Sequence, residues 1–460
     1  MKHKNISIGI ILGMAVLFSA CSRFTEVDLP EDQITRDMVF KDEALAQAAM
    51  AGIYRSLEES GFLSGSSGGA QSYVSCYTDE LSSYAPAGSD TSQFYTLTHN
   101  ALTQTVGNLW TVTYKQVYYI NSVIEGLEHS PNISASVKAR LSGEALFLRA
   151  ILHLYLTNTY GGVPYIKVTD YEINSHVSRE SQAAVYAKVR EDLLQAVEEL
   201  PNALPKGSRV RPTKMAAYAL LARLAYYQKD WNAALEYSSL VLSRSDYAPE
   251  TDLDKTFLMS SSSAIWQLMP YDSTYPTNEG NFFILQTAPP ARVALSPVFV
   301  NGFESGDQRR TQWVGEVQDS QNTTYYYPFK YKQSSITSSS AEYSVILRVE
   351  ELCLIRSEAY TRKNELNMGL SDLNKIRGRA GLPVLSNLGQ AELLAAIVRE
   401  RKYELFTEFG HRLYDLSHFG VLDQTMQAQK PSWKSYYQFL PIPEQELLRN
   451  PNLKPQNDGY

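Results

Sequence analysis

Apolar residues recur with a helical period along most of the chain, and that period breaks over two long stretches. Asp42 to Glu59 reads as a helix rich in Ala and Leu, and the glycine–serine stretch Gly61 to Gly69 ends it. Leu109 to Leu127 returns to helix. Val137 to Tyr160 is another, closed by Gly161-Gly162 with Pro164 shortly after, and amphipathic Gln182 to Leu200 stops at Pro201. Behind Pro212-Thr213, Ala216, Leu220, Leu224 and Tyr227 fall at i, i+4, i+8 and i+11. Ala217 and Leu221 widen that apolar face, as in a helix packed on two sides. A second helix runs from Asn232 to about Ser243, and Val345 to Arg362 with Leu366 to Arg379 gives a further pair.

The two breaks set the organisation. Residues 70–106 alternate tyrosines with Ser, Thr and Gly without a helical period, and residues 245–341 are rich in Ser, Pro, Tyr and Gly. The reading is of two loop-rich insertions, about 61–106 and 245–341, in a mainly α chain; irregular stretches of this length usually carry the binding surface. Inside the second, Ile265-Trp266-Gln267-Leu268 and Tyr325-Tyr326-Tyr327 read as short strands. At the turn Lys229-Asp230-Trp231, small Ala234 permits close helix approach and Trp231 plugs the pair. This looks like the tetratricopeptide helix–turn–helix pattern, and about four such pairs give a superhelix with a continuous core.

Composition narrows the class. The 460 residues carry 42 Lys and Arg against 49 Asp and Glu, a net charge of −7, which disfavours a nucleic-acid partner. Three cysteines exclude a disulfide framework. At the start, Lys2 and Lys4 precede a 13-residue apolar run, Ile6 to Phe18, too short to span a bilayer that needs ~20 residues. Ser19, Ala20 and Cys21 follow, as in a bacterial lipoprotein signal whose cysteine is acylated. Residues 1–20 are therefore expected to be a signal peptide, with Cys21 the lipidation site, 22–40 a tether, and 41–460 one domain. Cys353 lies among apolar helix residues, where a buried thiol is the default reading, and Cys76 lies in Tyr73 to Tyr77; export would permit their pairing, but the sequence does not establish their proximity.

Catalytic constellations are weak. His411, Asp415 and His418 at i, i+4 and i+7 share a helical face, but no further metal ligand is in view. Asp79-Glu80 is the sole acidic pair of the first insertion, and adjacent side chains diverge where a glycosidase needs carboxylates ~5–9 Å apart across one bond. The residues point to no catalytic group, resident metal or cofactor.

The C-terminal half carries a family resemblance. Leu347-Arg348-Val349-Glu350-Glu351 through Arg356-Ser357-Glu358-Ala359-Tyr360 is similar to the signature helix of the SusD/RagB family of outer-membrane nutrient-binding lipoproteins. So are Leu373-Asn374-Lys375-Ile376-Arg377-Gly378-Arg379, Arg399-Glu400-Arg401 with Glu404, Arg412 with Asp415-Leu416, and the closing Leu440-Pro441-Ile442-Pro443. Upstream, Leu148-Arg149-Ala150, Tyr160 to Pro164 and Arg211-Pro212-Thr213 also match; Ser417-His418-Phe419-Gly420 departs from the Arg-Trp pair frequent in the family. The resemblance implies a binder without catalysis on the cell exterior, lipid-anchored in the outer membrane. Such a protein captures an oligosaccharide, or in some branches a peptide, and passes it to a SusC-like, TonB-dependent transporter.

A sugar offers an apolar C–H face and a rim of hydroxyls, which flat rings and amide or carboxylate groups complement. There are 31 tyrosines, and those in the insertions stand among such groups. The expected ligand-binding residues are Asp79, Tyr84, Gln93, Tyr95, Tyr271, Tyr275 and Phe282. Three rings each covering ~75 Å² would give millimolar to micromolar affinity, weak enough for delivery. A peptide binder, a surface-anchored glycan-degrading enzyme and a scaffold that binds only its partner are the rival readings.

Overall fold

The structure, a computed structural model, describes residues 39–204 and 208–460. The expected signal segment, Cys21 and nearly all of the tether lie outside the described residues.

Ten helices form the scaffold: α1 (Glu43–Glu59), α2 (Gln104–Glu128), α3 (Ala135–Tyr160), α4 (Gln182–Glu199), α5 (Lys214–Gln228), α6 (Trp231–Leu242), α7 (Val349–Arg362), α8 (Leu366–Arg379), α9 (Gln390–Glu404) and α10 (His411–His418). α1 shows the usual logic. The Asp42 carboxylate caps it by accepting the Leu45 amide at 3.0 Å, and Ala46, Met50, Ile53, Tyr54 and Leu57 form its buried stripe. α3 differs, because every residue from Gly143 to Tyr160 is buried and neighbours cover all its faces. α1 packs on α2, α3 on α4, α5 on α6 and α7 on α8, and contacts of α2 with α3, α4 with α5 and α6 with α7 stack the pairs into a tetratricopeptide-like array. At the α5–α6 turn Lys229 adopts φ 59°, the Asp230 carboxylate accepts the Ala233 amide at 3.1 Å, and Ala234 is fully buried. One buried cluster extends from Phe40 to Leu453.

Among the described residues the insertions supply five strands, β1 (Leu81–Ser83), β2 (Ala264–Leu268), β3 (Val293–Leu295), β4 (Val314–Gln318) and β5 (Thr324–Pro328), and β6 (Ser344–Arg348) follows the second insertion. An antiparallel four-stranded sheet has the order β1-β3-β5-β4, and β2 pairs with β6. Two expectations are corrected here. Residues 70–106 are not continuous loop, since Ala70–Tyr77 and Asp90–Thr96 are helical. The first is buried on nearly every side, polar residues Gln71, Ser72 and Ser75 included, so no amphipathic stripe marks it. Its neighbour is announced only by its Ser89 cap. Nor does α7 begin at Val345. Ser344–Arg348 is a strand buried along its whole length, and a short, fully buried apolar run carries no period that separates strand from helix.

The helical motifs and the insertions meet in a buried ionic cluster. Arg348 donates to Glu404 (2.6 Å) and Glu408 (2.9 Å), and Arg309, from the insertion helix Gln308–Gln312, donates to Asp307 (2.8 Å), Glu400 (2.7 Å) and Glu404 (3.0 Å). Arg379 adds bonds to Glu350 (3.0 Å) and Glu404. Lys330, two residues beyond β5, donates to the carbonyls of Glu404 and Phe406 (both 2.8 Å) and to Glu408. The sheet is thereby tied at two points to the end of α9.

A second buried carboxyl behaves differently. Glu279 accepts from Gln71 (3.1 Å) and Ser344 (2.7 Å) beneath Gly65, where a Cβ would fall 2.4 Å from its carboxyl carbon. With no cation beside it, burial pushes its pKa up to about 7 from 4.5. The neutral acid stabilises the fold below pH ~4.5, and that stabilisation is lost as pH rises through 7, by about 2–3 kcal/mol between pH 5 and 8. E279Q, which stays neutral, is expected to flatten this segment of the stability curve. Melting temperatures of both proteins at pH 5 and pH 8 check it: an equal pH 5-to-8 change in both sinks the assignment.

Candidate functional site

His411, Asp415, His418, Asp79 and Glu80 are all buried. The Asp415 carboxylate takes both nitrogens of Arg401 at 2.8 Å and the Tyr226 hydroxyl at 2.9 Å. His418 faces Glu358 at 3.1 Å and stacks on Tyr226 with ring centroids 3.8 Å apart. Burial and the nearby Arg223 and Arg401 hold buried His411 well below its ordinary pKa. Glu80 is buried, which pushes its pKa up to about 7, and its closest backbone donor is the Thr407 amide at 3.4 Å. Cys76 and Cys353 are free thiols, each raised to about 12 by burial.

The seven expected ligand residues separate into three groups. Asp79 and Gln93 are engaged with the protein itself. Asp79 is buried, and its oxygens accept from Arg412 (2.8 and 3.0 Å) and Lys402 (2.9 Å). Burial alone would raise its carboxyl, but the two cations override this and hold it below its ordinary value. Asp79 thereby ties the first insertion to α9 and α10. The Gln93 amide donates to the Gly88 carbonyl and accepts from Thr103, both at 2.8 Å, so it pins its own loop.

Tyr84 and Tyr95 belong to the second group, which gathers on one face of the four-stranded sheet. Tyr84 continues β1, its amide donating to the Arg292 carbonyl at 2.7 Å, and its ring meets Tyr325 edge-to-face with centroids 5.4 Å apart. Partial burial, with Tyr325 and Tyr95 beside it, raises the Tyr84 phenol. Strand pairing explains the arrangement. Leu81 pairs with Leu295 and Leu295 with Tyr326, so these side chains share the face that packs on the second buried cluster. Ser82, Ala294, Gly315, Tyr325 and Tyr327 alternate with them and share the opposite face. Gly315 lies across from Tyr327, and a Cβ there would stand 2.2 Å from the ring, so the glycine lets the tyrosine lie flat. The Tyr325 hydroxyl is held by Asp319 at 3.3 Å, and Lys430 sits 4.7 Å from the Tyr95 ring centroid while donating to the Tyr95 carbonyl at 2.9 Å. The result is a platform of half-exposed phenols over small residues. Alternation alone does not choose among Tyr325, Tyr326 and Tyr327, since the choice depends on pairing with β3 and β4.

Tyr271, Tyr275 and Phe282 make the third group. Tyr271 is 67% exposed on one side while the Arg55 guanidinium covers the other at 3.8 Å, and Tyr275 is 52% exposed. Phe282 packs on Phe283 (4.9 Å) at the margin of the second buried cluster. Among the described residues, no ring of this group lies against a ring of the sheet platform. Nearby, Asn278 anchors the segment by donating to the Glu58 and Ser64 carbonyls, both at 2.8 Å.

Comparison with known proteins covers both halves of the chain. Residues 30–226 match a family described as starch-binding, associating with the outer membrane, and residues 304–460 match the SusD family. SusD-like protein P25 of Formosa agariphila is 23% identical over the full length of both chains. A SusD superfamily protein from Bacteroides vulgatus superposes with a TM-score of 0.79 at 21% identity, covering 92% of this chain and all of that one. Surface glycan-binding protein A from Bacteroides thetaiotaomicron, solved in complex with laminarihexaose, gives 0.76 at 19% identity, covering 90% of this chain and 98% of that one. Among the described residues, no helix is long and apolar enough to cross a membrane.

Proposed function

From the premise that this chain belongs to the SusD-like family, we propose that it is a cell-surface lipoprotein that captures an oligosaccharide and passes it to a SusC-like, TonB-dependent transporter. Residues 41–460 act as one unit in this reading, held at the outer membrane by a lipid on Cys21. Sugar rings stack on Tyr84, Tyr95, Tyr325 and Tyr327, and Tyr271 and Tyr275 offer a secondary contact beside α1.

One observation carries the proposal: Tyr84, Tyr325 and Tyr327 stand partly exposed on a sheet face that also carries Gly315 and Ala294. A flat, rigid phenol loses little entropy on contact and offers both an apolar face and a hydroxyl, which suits a C–H face bordered by hydroxyls. The laminarihexaose bound by the Bacteroides thetaiotaomicron relative supports carbohydrate as the ligand class. In this reading the site holds its ligand without altering it.

Calorimetry against a panel of oligosaccharides and peptides, with product analysis, tests this. Heat with an oligosaccharide and unchanged sugar is the expected result. Product formation would favour an enzyme, heat with peptides alone a peptide binder, and silence with every ligand while the transporter still binds a partner scaffold. Gly315→Val is a finer probe. The added side chain must displace the Tyr327 ring, so affinity is expected to fall severalfold with little change in melting temperature. Unchanged affinity would remove Tyr327 from the site.

A further inference from the structure

Away from the sheet platform, a cleft of about 560 Å³ opens between the N-terminal half of α2, the segment 164–177 and the C-terminal helix Glu444–Arg449. Its floor is aromatic. Trp110, Tyr114 and Tyr118 succeed one another at i, i+4 and i+8 on one face of α2, and Trp110 and Tyr114 lie with ring centroids 4.9 Å apart. The two inner rings have structural work: Trp110 is buried against Tyr160 (5.1 Å), and the Tyr114 hydroxyl donates to the Pro164 carbonyl at 2.8 Å. The outer rings are more open, although Tyr118 meets Tyr119 edge-to-face at 5.9 Å. Tyr118 is 48% exposed and Tyr171, on the opposite lip, is 81% exposed.

A concave cleft lined by exposed rings and a few polar groups has the make-up of a ligand site. The polar groups around it indicate what it contacts. The rim carries Asn174, whose amide nitrogen donates to the Val168 carbonyl at 2.9 Å and whose oxygen can accept, and the Glu446–Arg449 ion pair (3.1 Å), so donors and acceptors both ring the phenols. A purely apolar partner would strand these groups. A ligand with flat C–H faces and many hydroxyls would meet both the rings and the rim, and the volume admits two or three hexose units.

We propose that this cleft is a second carbohydrate-binding site, in which Tyr118 and Tyr171 stack on sugar while Asn174, Glu446 and Arg449 take its hydroxyls. The inference rests on carbohydrate being the ligand class, but it uses residues separate from the sheet platform. Two sites on one chain let a long glycan be held at two points, and retention then exceeds that of either site alone.

The test titrates the full chain with whichever hexasaccharide of the panel (starch, laminarin, xylan and pectin fragments) the wild type binds. Wild type is expected to bind two molecules per chain. Y118A/Y171A is expected to bind one, with retention on the parent polysaccharide in an affinity gel reduced about tenfold. Tyr171→Phe, which keeps the stacking face, is expected to behave as wild type. Both variant positions are exposed, so melting temperatures should match. If Y118A/Y171A retains wild-type stoichiometry and retention while Y84A/Y325A loses binding, the cleft inference is overturned and the sheet platform stands. A wild type that binds no carbohydrate overturns both. Loss of transporter binding in Y118A/Y171A with sugar binding unchanged would make the cleft a protein interface instead.

Discussion

Glu404→Ala is expected to yield little or no folded protein. The Glu404 carboxylate is fully buried and accepts from Arg348 at 2.6 Å, from Arg309 at 3.0 Å and from Arg379. Burial opposes its charge, yet Arg379, Arg348 and Arg309 together hold it well below its ordinary pKa. Removing one partner of a buried pair costs about 3–5 kcal/mol, because the other charge stays behind in a medium that cannot solvate it. Here three guanidinium groups would each lose a carboxylate and keep only their other partners, Asp307 and Glu400 for Arg309, Glu350 and Glu408 for Arg348 and Glu350 for Arg379, against a total stability of about 5–15 kcal/mol for a typical domain. Glu404→Gln keeps the shape and lacks the charge, so it too should be strongly destabilised. Circular dichroism melts of the purified variants check the expectation. An E404A protein melting within a few degrees of wild type would show that the cluster does not hold the sheet to the scaffold. Stability from this group is present above its unfolded pKa near 4.5 and is lost as pH falls through the depressed folded value, the reverse of Glu279.

The second large effect concerns binding. A tyrosine ring that loses ~75 Å² of apolar area to a sugar contributes about 2 kcal/mol, a factor of roughly twenty to thirty in affinity. Y84A/Y325A removes two rings that touch each other, so the loss is expected to reach a few hundredfold at the platform, less if the remaining rings adjust. Starting from millimolar to micromolar affinity, binding there should drop below calorimetric detection. Both positions lie at the surface of the sheet, and the melting temperature should change by no more than a few degrees. Unaltered affinity and stoichiometry would take the platform out of the binding site. Y271A, whose ring already has one face under Arg55, is expected to cost severalfold at most.

The helical scaffold was legible because its signals are local. Caps, breaking glycines and the i, i+4, i+8 spacing of Ala216, Leu220 and Leu224 each act within a few residues, and the α5–α6 turn follows from Asp230 and Ala234 alone. The family motifs Arg348 to Glu351, Arg377 to Arg379, Arg399 to Glu404 and Arg412 to Asp415 were visible too. Their physical content was not, since it lies in pairings such as Arg223 with Glu351 (2.6 Å), Arg401 with Asp415 and Arg412 with Asp79. Those pairings link residues up to several hundred positions apart.

The same limit explains the site. Composition and position singled out the insertion tyrosines, but what separates a stacking ring from a packing ring is its strand partner. Tyr325 faces outward because Tyr326 pairs with Leu295 and points inward. Nothing near Asp79 in sequence reveals its ion pairs with Arg412 and Lys402. The aromatic ladder Trp110, Tyr114 and Tyr118 was open to inspection at helical spacing, yet its ends diverge: Trp110 is core and Tyr118 is surface. Periodicity assigns a face to a helix and leaves open what lies across from it.

The most direct test of the central claim is a crystal structure of the protein with a bound oligosaccharide from the panel. The account predicts a sugar ring stacked on Tyr84 and Tyr325, with its C–H face toward the phenols and Tyr327 flat against Gly315. A well-ordered sugar bound elsewhere, with these tyrosines uncovered, would contradict it.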